Sequence, residues 1–342
     1  MPFRLSRLVD WRGGCARFLG SLMLAAVAAA AAPALAQEKF SFGLNWLPDA
    51  ERGGFYQAEA TGLYAKAGLE VQIEPGGPQA NTPQLMIQGR LDGVLISSAI
   101  EALNYANNGI PVVAIAAIFQ KNPQILMAHR SAGFEKLEDL RGKPIMISGL
   151  ARNGYWAWLK ARFGFTDEQI RPYTFNIAAF LANQAAIQQG FVTYEPNQAV
   201  NAGADPQVFL LADHGYADYS SLVVVTRRTL ETRRDVVQRF LDASIEGWRT
   251  FLFADAAQGI ALIKSKNDRL TDAIIENSMK VMRERQLVDG GDAATFGIGA
   301  MTEARWQLVY ADMSDAGALP KGDYWRSAFE LGLTNRRIGM AK

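Results

Sequence analysis

The sequence predicts an α/β protein made of two lobes, and three observations predict it. Strand and helix signals alternate from Gln37 onward, and βαβα alternation places strands in a mainly parallel sheet with helices on its faces. The rhythm restarts near residue 125, as it does when a chain leaves one sheet and begins another. Of the 342 residues, 306 remain once a leader is set aside, and single cores stop growing near ~250–300 residues.

The leader covers residues 1–36. Arg4, Arg7, Arg12 and Arg17 precede an apolar run from Phe18 to Ala32, and Ala34-Leu35-Ala36 supplies small residues for cleavage before Gln37. This is the layout of a secretory signal. A membrane anchor needs roughly 20 apolar residues, and this run stops at Pro33. The leader holds four of the 35 basic residues and one of the 34 acids, so the mature chain carries 31 against 33, a formal charge of −2. That balance gives no electrostatic footprint for nucleic acid. Cys15, the single cysteine, leaves with the leader, and it precedes the apolar run, where a lipid-bearing cysteine would follow it. A soluble, thiol-free periplasmic protein is expected, without disulfide or cysteine metal ligand.

The elements follow in order. Phe40–Trp46 reads as a strand stopped by Pro48, and Gly53–Gly62 as a helix opening on a glycine pair. Leu69, Val71 and Ile73 alternate in a strand ended by Pro75-Gly76-Gly77-Pro78, a strong turn cluster. Thr82 is expected as an N-cap, with Pro83 at the first helical position. Gly93–Ser97 is a short buried strand, Ile100–Asn107 a helix, and Val112–Phe119 a continuous apolar strand covered on both faces. The second cycle has strands at Ile125–His129 and Ile145–Ser148, a helix at Tyr155–Phe163, and candidate strands at Tyr173–Asn176, Phe191–Tyr194 and Val208–Ala212. Leu222–Thr226 is the last strand. Helices then cover Asp235–Leu252, Ala256–Ser265, Thr271–Arg285 and Thr302–Ala316, their aromatic stripes read as packing. The expected division is 37–126 with 226–342 as one lobe and 127–225 as the other, so that the chain crosses twice beside a cleft.

Catalytic arrangements are scarce. The two histidines, His129 and His214, lie in different segments, and His129 sits in a strand signal that reads as packing. No H-x-x-x-H or C-x-x-C metal spacing, phosphate loop or G-x-S-x-G elbow occurs. Without cysteine and nearly without histidine, the usual nucleophile–base pairs do not assemble. No catalytic residue, metal site or cofactor is expected.

Binding candidates gather where strands end, the place ligands occupy in open α/β sheets. Asn45, Trp46, Asp49 and Arg52 follow the first strand, with Tyr56 a turn later. Ser97 and Ser98 follow the Gly93 strand, either capping the next helix or offering its free amides to an anion. Ser148 ends a later strand, with Arg152, Asn153, Tyr155 and Trp156 beyond it, and Glu195 follows Phe191–Tyr194. Trp46, Tyr56, Tyr155 and Trp156 are stacking candidates; Asn45, Asp49, Arg52, Ser97, Ser98 and Glu195 are polar ones. Such a wall holds flat, partly polar solutes.

Four stretches together resemble the SsuA/THI5-like (NMT1-type) substrate-binding proteins of ABC importers. They are Asn45-Trp46-Leu47-Pro48 with Gly54–Ala58 and Gly62–Val71; Gly89–Val94; Leu137–Lys143; and Gln189–Pro196. The resemblance covers most of 38–250. It implies a type II periplasmic-binding fold, two α/β lobes joined by a two-strand hinge and closing on a solute. It implies a monomer working with permease subunits in the inner membrane. The pattern is most similar to members that bind thiamine pyrimidine precursors; sulfonate- or nitrate-type anions are the alternative cargo. Pyrimidine-type members often carry N-W-x-P-N-x-x-H-x-G, whereas Asp49 and Arg52 stand here at the asparagine and histidine positions. An arginine at that place is expected to pair with an anionic group of the solute. The family's fungal relatives are pyrimidine synthases. Their histidine and cysteine are missing from this mature chain, which argues against an enzyme. A sensor domain feeding a membrane kinase is a third possibility.

Overall fold

The computed structural model describes residues 37–77 and 79–340, together with Met1 and Phe3; the expected leader otherwise lies outside the described residues. Among the described residues ten strands form two five-stranded sheets. The first contains β1 (Glu38–Gly43), β2 (Leu69–Glu74), β3 (Gly93–Ile96), β4 (Val112–Phe119) and β10 (Ser220–Thr226), in the order β2-β1-β3-β10-β4. The second contains β5 (Gln124–His129), β6 (Ile145–Ile147), β7 (Ile170–Pro172), β8 (Ile187–Phe191) and β9 (Pro206–Leu210), in the order β7-β6-β8-β5-β9. The chain therefore passes between sheets at 120–123 and again at 211–219.

Both sheets are mixed, where the sequence suggested mainly parallel ones. β1 pairs in parallel with β2 and β3, but β10 runs antiparallel to β3 and β4. In the second sheet β6 is parallel to β7 and β8, while β5 is antiparallel to β8 and β9. In each sheet the reversed strand is the one on which the chain has just arrived from the other. β4 is buried at every residue, as its apolar run implies, but burial carries no sign of strand direction. Its free edge is covered by C-terminal bridges, Ala114 to Phe329 and Ala117 to Gly299.

Several boundaries differ from the sequence reading, each for a visible reason. Asn81, not Thr82, caps its helix, accepting from the Gln84 N–H at 3.2 Å. Thr82 is buried, and its hydroxyl donates to the Leu44 carbonyl. The strand expected at Phe191–Tyr194 lies at Ile187–Phe191, because Gln188 and Gln189 are buried between β5 and β6 despite their polarity. Tyr173–Asn176 is irregular, its strand having ended at Pro172. Val208–Ala212 shifts back to Pro206–Leu210. His129 is packed as its strand signal implies: its ring stacks on Phe180 at 4.0 Å and its Nε2 meets the Phe180 carbonyl.

One packing feature positions the candidate site. The helix Gly53–Ala60 lies against the long helix Arg234–Phe253. A Cβ on Gly54 would sit 2.1 Å from the Trp248 ring, and one on Gly53 2.1 Å from Phe251. On the facing helix, a Cβ on Gly247 would come within 2.2 Å of the Gly54 carbonyl. The glycine pair is what lets the two helices approach so closely, and it fixes where the preceding turn, Ala50–Arg52, enters the first lobe.

Candidate functional site

After β1 the chain leaves the sheet and runs irregularly from Leu44 to Asp49. The turn predicted at Pro75–Pro78 backs this segment: the Gly76 N–H donates to the Trp46 carbonyl at 3.0 Å. A side chain on Gly76 would meet the Leu44 carbonyl at 2.2 Å, so glycine is required there. Asp49 then opens the turn Ala50–Arg52, which folds the Arg52 side chain back over its own loop.

Arg52 is the centre of a hydrogen-bonded network. Its Nη1 donates to both Asp49 carboxylate oxygens, at 2.9 and 3.1 Å, and to Glu51 Oε2 at 2.9 Å. Its Nε donates to Asn45 Oδ1 at 3.1 Å, and Asn45 Nδ2 donates to Ser97 Oγ at 2.9 Å. Four candidates from two strand ends are thus brought together. The arginine expected to await an anionic solute is already paired with two carboxylates of its own chain. Glu51 carries the network to the second lobe, accepting from the Thr193 hydroxyl. Thr193 in turn offers its carbonyl to Ser278 Oγ at 2.9 Å, on the helix Asp272–Glu284.

The second strand end is equally occupied. Ser98 caps the helix Ala99–Asn107, accepting from the Ile100 N–H at 3.1 Å. The Ala99 N–H donates to Asp218 Oδ1 at 3.0 Å, and the Ser97 N–H to Glu101 Oε1 at 3.1 Å. Asp218 also accepts from Ser98 Oγ (2.7 Å), Asn122 Nδ2 (2.9 Å) and the Tyr216 hydroxyl. It therefore ties both chain crossings to this helix start. The structure favours the capping role for Ser98 over a free anion site.

On the second lobe, Gln189 Oε1 accepts from the Ser148 N–H at 2.6 Å and the Tyr155 hydroxyl at 3.1 Å. Glu195 bonds the Phe191 N–H at 2.7 Å and the Tyr173 hydroxyl at 3.1 Å, so its carboxylate closes the β8 turn and holds a tyrosine. Trp46 reaches across to Phe175, ring centroids 5.6 Å apart, and Phe175 meets Tyr173 at 5.2 Å. Two stacking candidates are buried rather than exposed. Trp156 is buried in the second lobe against Phe165, its indole N–H donating to Asp167 at 2.9 Å. Tyr56 is fully buried in the first-lobe core. Arg152 is exposed on the turn before the Tyr155 helix. Sequence reasoning missed Glu51, Thr193, Gln189, Asp218, Tyr173 and Phe175. An acid beside Arg52 was a signal for the first, and Gln189 and Thr193 lie in the matching stretch Gln189–Pro196, but no local pattern marked Asp218, Tyr173 or Phe175.

Burial governs the acids. It pushes Glu51 up to about 7, against the opposing pull of Arg52. Glu101 rises to about 7 and Asp218 to about 6 for the same reason, and Asp49 and Glu195 are also raised. A carboxyl whose folded pKa exceeds its unfolded value binds more protons in the folded state, so stability falls as pH rises between the two values. For Glu51 that window runs from its ordinary 4.5 to about 7. Urea unfolding from pH 5 to 8 is expected to show this fall, and Glu51→Gln to flatten it. An unchanged profile in the variant would show that Glu51 does not titrate in this window.

Among the described residues no group of three or more His, Cys, Asp or Glu side chains is placed to hold a metal ion. No helix among them is long and apolar enough to cross a membrane. Two surface hollows, one over Phe134 and Lys143 and one over Tyr310 and Lys321, lie outside the network.

Known proteins place this geometry. The riboflavin-binding protein RibY of Chloroflexus aurantiacus is 23% identical over 303 residues, 86% of this chain and 85% of that protein. The formylaminopyrimidine-binding protein of Halalkalibacterium halodurans is 21% identical over 71% of this chain and 76% of its own length. Among solved structures, the periplasmic aliphatic sulphonate binding protein SsuA from Escherichia coli superposes with a TM-score of 0.65 at 13% identity, covering 85% of this chain and 91% of that one. The desulfurization enzyme DSZB shares the fold too, with a TM-score of 0.58 at 12% identity over 88% of this chain and 98% of its own. The fold is that of the periplasmic binding proteins, two α/β lobes joined where the chain crosses twice. With the NMT1/THI5-like model matching residues 49–255, well over half its length, the chain belongs to the NMT1/THI5-like family.

Proposed function

We propose that this chain is the exported solute receptor of an ABC-type importer, closing two lobes on a small heteroaromatic solute of the thiamine-pyrimidine-precursor kind. One observation carries the choice of solute: the Arg52 charge and the amides at the Ser98 helix start are engaged within the chain itself. Arg52 is held by Asp49 and Glu51, and three amides around the Ser98 helix start are held by Asp218, Ser98 and Glu101. A helix start binds an anion through free amides, and these are not free. What meets between the two lobes instead is aromatic surface, at Trp46 and Phe175. Such surface suits a flat ring. The names of two relatives, a riboflavin binder and a formylaminopyrimidine binder, point the same way.

The rest of the reading follows from the family and the leader. Residues 1–36 direct export and are removed, the receptor works as a monomer in the periplasm, and inner-membrane permease subunits recognise the closed form. Nucleic acid is not a partner. A sulfonate- or nitrate-type cargo would require Arg52 to leave two carboxylates. A synthase activity, the remaining alternative, is tested by incubating the mature protein with iron and pyridoxal phosphate and looking for a lysine aldimine with turnover; product formation would overturn the receptor reading.

The cargo is tested by thermal shift with riboflavin, a formylaminopyrimidine, an aliphatic sulfonate and nitrate. A ligand that binds only the folded state stabilises it by about 2.7 kcal/mol at one hundred times its Kd. A heteroaromatic is expected to raise Tm and the anions to leave it unchanged. Stabilisation by sulfonate alone would sink the proposed cargo.

A further inference from the structure

We propose that Phe175 is a specificity-determining residue: it forms the second aromatic wall opposite Trp46 and covers the face of the bound ring. The inference rests on the reading of the chain as a receptor for a heteroaromatic solute, and it names the residue that selects for flatness.

Three features of Phe175 have no structural explanation in its own lobe. Its side chain is large and apolar yet 47% exposed. Its φ is +57°, the left-handed region that a bulky residue rarely adopts. Backbone held in that region costs free energy and concentrates at ligand clamps; glycine would occupy the position without that cost. Its ring contacts a residue of the opposite lobe, Trp46, at 5.6 Å and 41°.

The residues on either side of Phe175 are held by hydrogen bonds. On one side Tyr173 is anchored by its hydroxyl on Glu195, and on the other Asn176 Oδ1 accepts from the Ala178 N–H at 2.9 Å, just ahead of the helix Ala178–Ala182. Phe175 stands at the apex between these two pins. Across the cleft, the backbone of Trp46 is held by Gly76. Carbon surfaces in contact lie about 3.5 Å apart, so a flat ring between two others needs about 7 Å between their planes. The two rings are now in contact, centroids 5.6 Å apart and tilted by 41°, so they must turn parallel and separate to admit a flat solute. A tetrahedral head group offers no flat face to either ring.

The test uses the mature protein, with Kd and dissociation rate measured for riboflavin and a formylaminopyrimidine by calorimetry and stopped flow, and Tm recorded without ligand. Phe175→Leu keeps the apolar bulk and removes the π face. It is expected to weaken heteroaromatic binding about tenfold, chiefly through faster dissociation, and Phe175→Trp to restore it. Phe175→Gly is expected to weaken binding while leaving Tm unchanged or raised, since it relieves the backbone. A merely structural residue gives the opposite pattern, lowered Tm with unchanged Kd, and that result overturns the inference. Wild-type binding with unaltered Kd in all three variants overturns it alone. Failure of the wild type to bind either probe overturns the heteroaromatic reading as well.

Discussion

Arg52→Met is expected to lower the free energy of unfolding by about 3–5 kcal/mol, the cost of leaving a buried charge without its partner. The Arg52 side chain is 6% exposed and Glu51 10%, so water replaces little of what the guanidinium supplies. Asp49, Glu51 and Asn45 would all lose a donor at once. The urea midpoint is expected to fall while the slope, which follows the surface exposed on unfolding, stays the same. The loss has a pH signature. Without the guanidinium, the folded pKa values of both carboxylates rise further above their unfolded values. Stability is then retained at acid pH, where the carboxyls are protonated in both states, and lost as pH rises through the folded values. The variant is therefore expected to lose most at pH 8 and least near pH 4. Adding Glu51→Gln is expected to recover part of the loss, because the two residues are in contact and their effects do not add. A midpoint shift equal at both pH values would mean that Arg52 contributes packing rather than charge.

Trp46→Ala is expected to weaken heteroaromatic binding about tenfold to a hundredfold, from stacking worth about 1–3 kcal/mol per ring. Trp46 is half-buried and lies outside both core clusters, so the fold is expected to tolerate the change with a small shift in Tm. Trp46→Phe retains a face and is expected to recover most of the affinity. Calorimetric titration of the three proteins checks this, and an unaltered Kd in Trp46→Ala would remove the residue from the site. Together with the Phe175 variants, the series shows whether the two lobes contribute facing walls or one wall only.

Particular residues show how much of this was legible beforehand. Asn45, Asp49, Arg52 and Ser97 were nominated for following strand ends, and they do meet in one network. What they do there was not legible. Arg52 was expected to await a solute anion and instead holds two acids of its own chain. Glu195 was nominated from the same logic, and its oxygens close a turn and anchor Tyr173. Tyr56 and Trp156 had the right chemistry beside the right strands but point into the core, because side-chain direction in a helix depends on which face the tertiary packing covers.

By itself the sequence determined what is periodic or local: the alternation of strands and helices, the fully apolar β4 and the glycine pair at Gly53-Gly54. These follow from spacing along the chain, which a folded partner does not alter. Only the tertiary structure decided what depends on distant segments meeting. It set the reversed direction of β5 and β10, the burial of Gln188 and Gln189 inside a sheet, the bond from Thr193 to Glu51 across 142 positions, and the approach of Phe175 to Trp46. The physical reason is the same in each case. A hydrogen bond or a ring contact between lobes is selected by packing of the whole chain, and neither partner carries a local mark of the other.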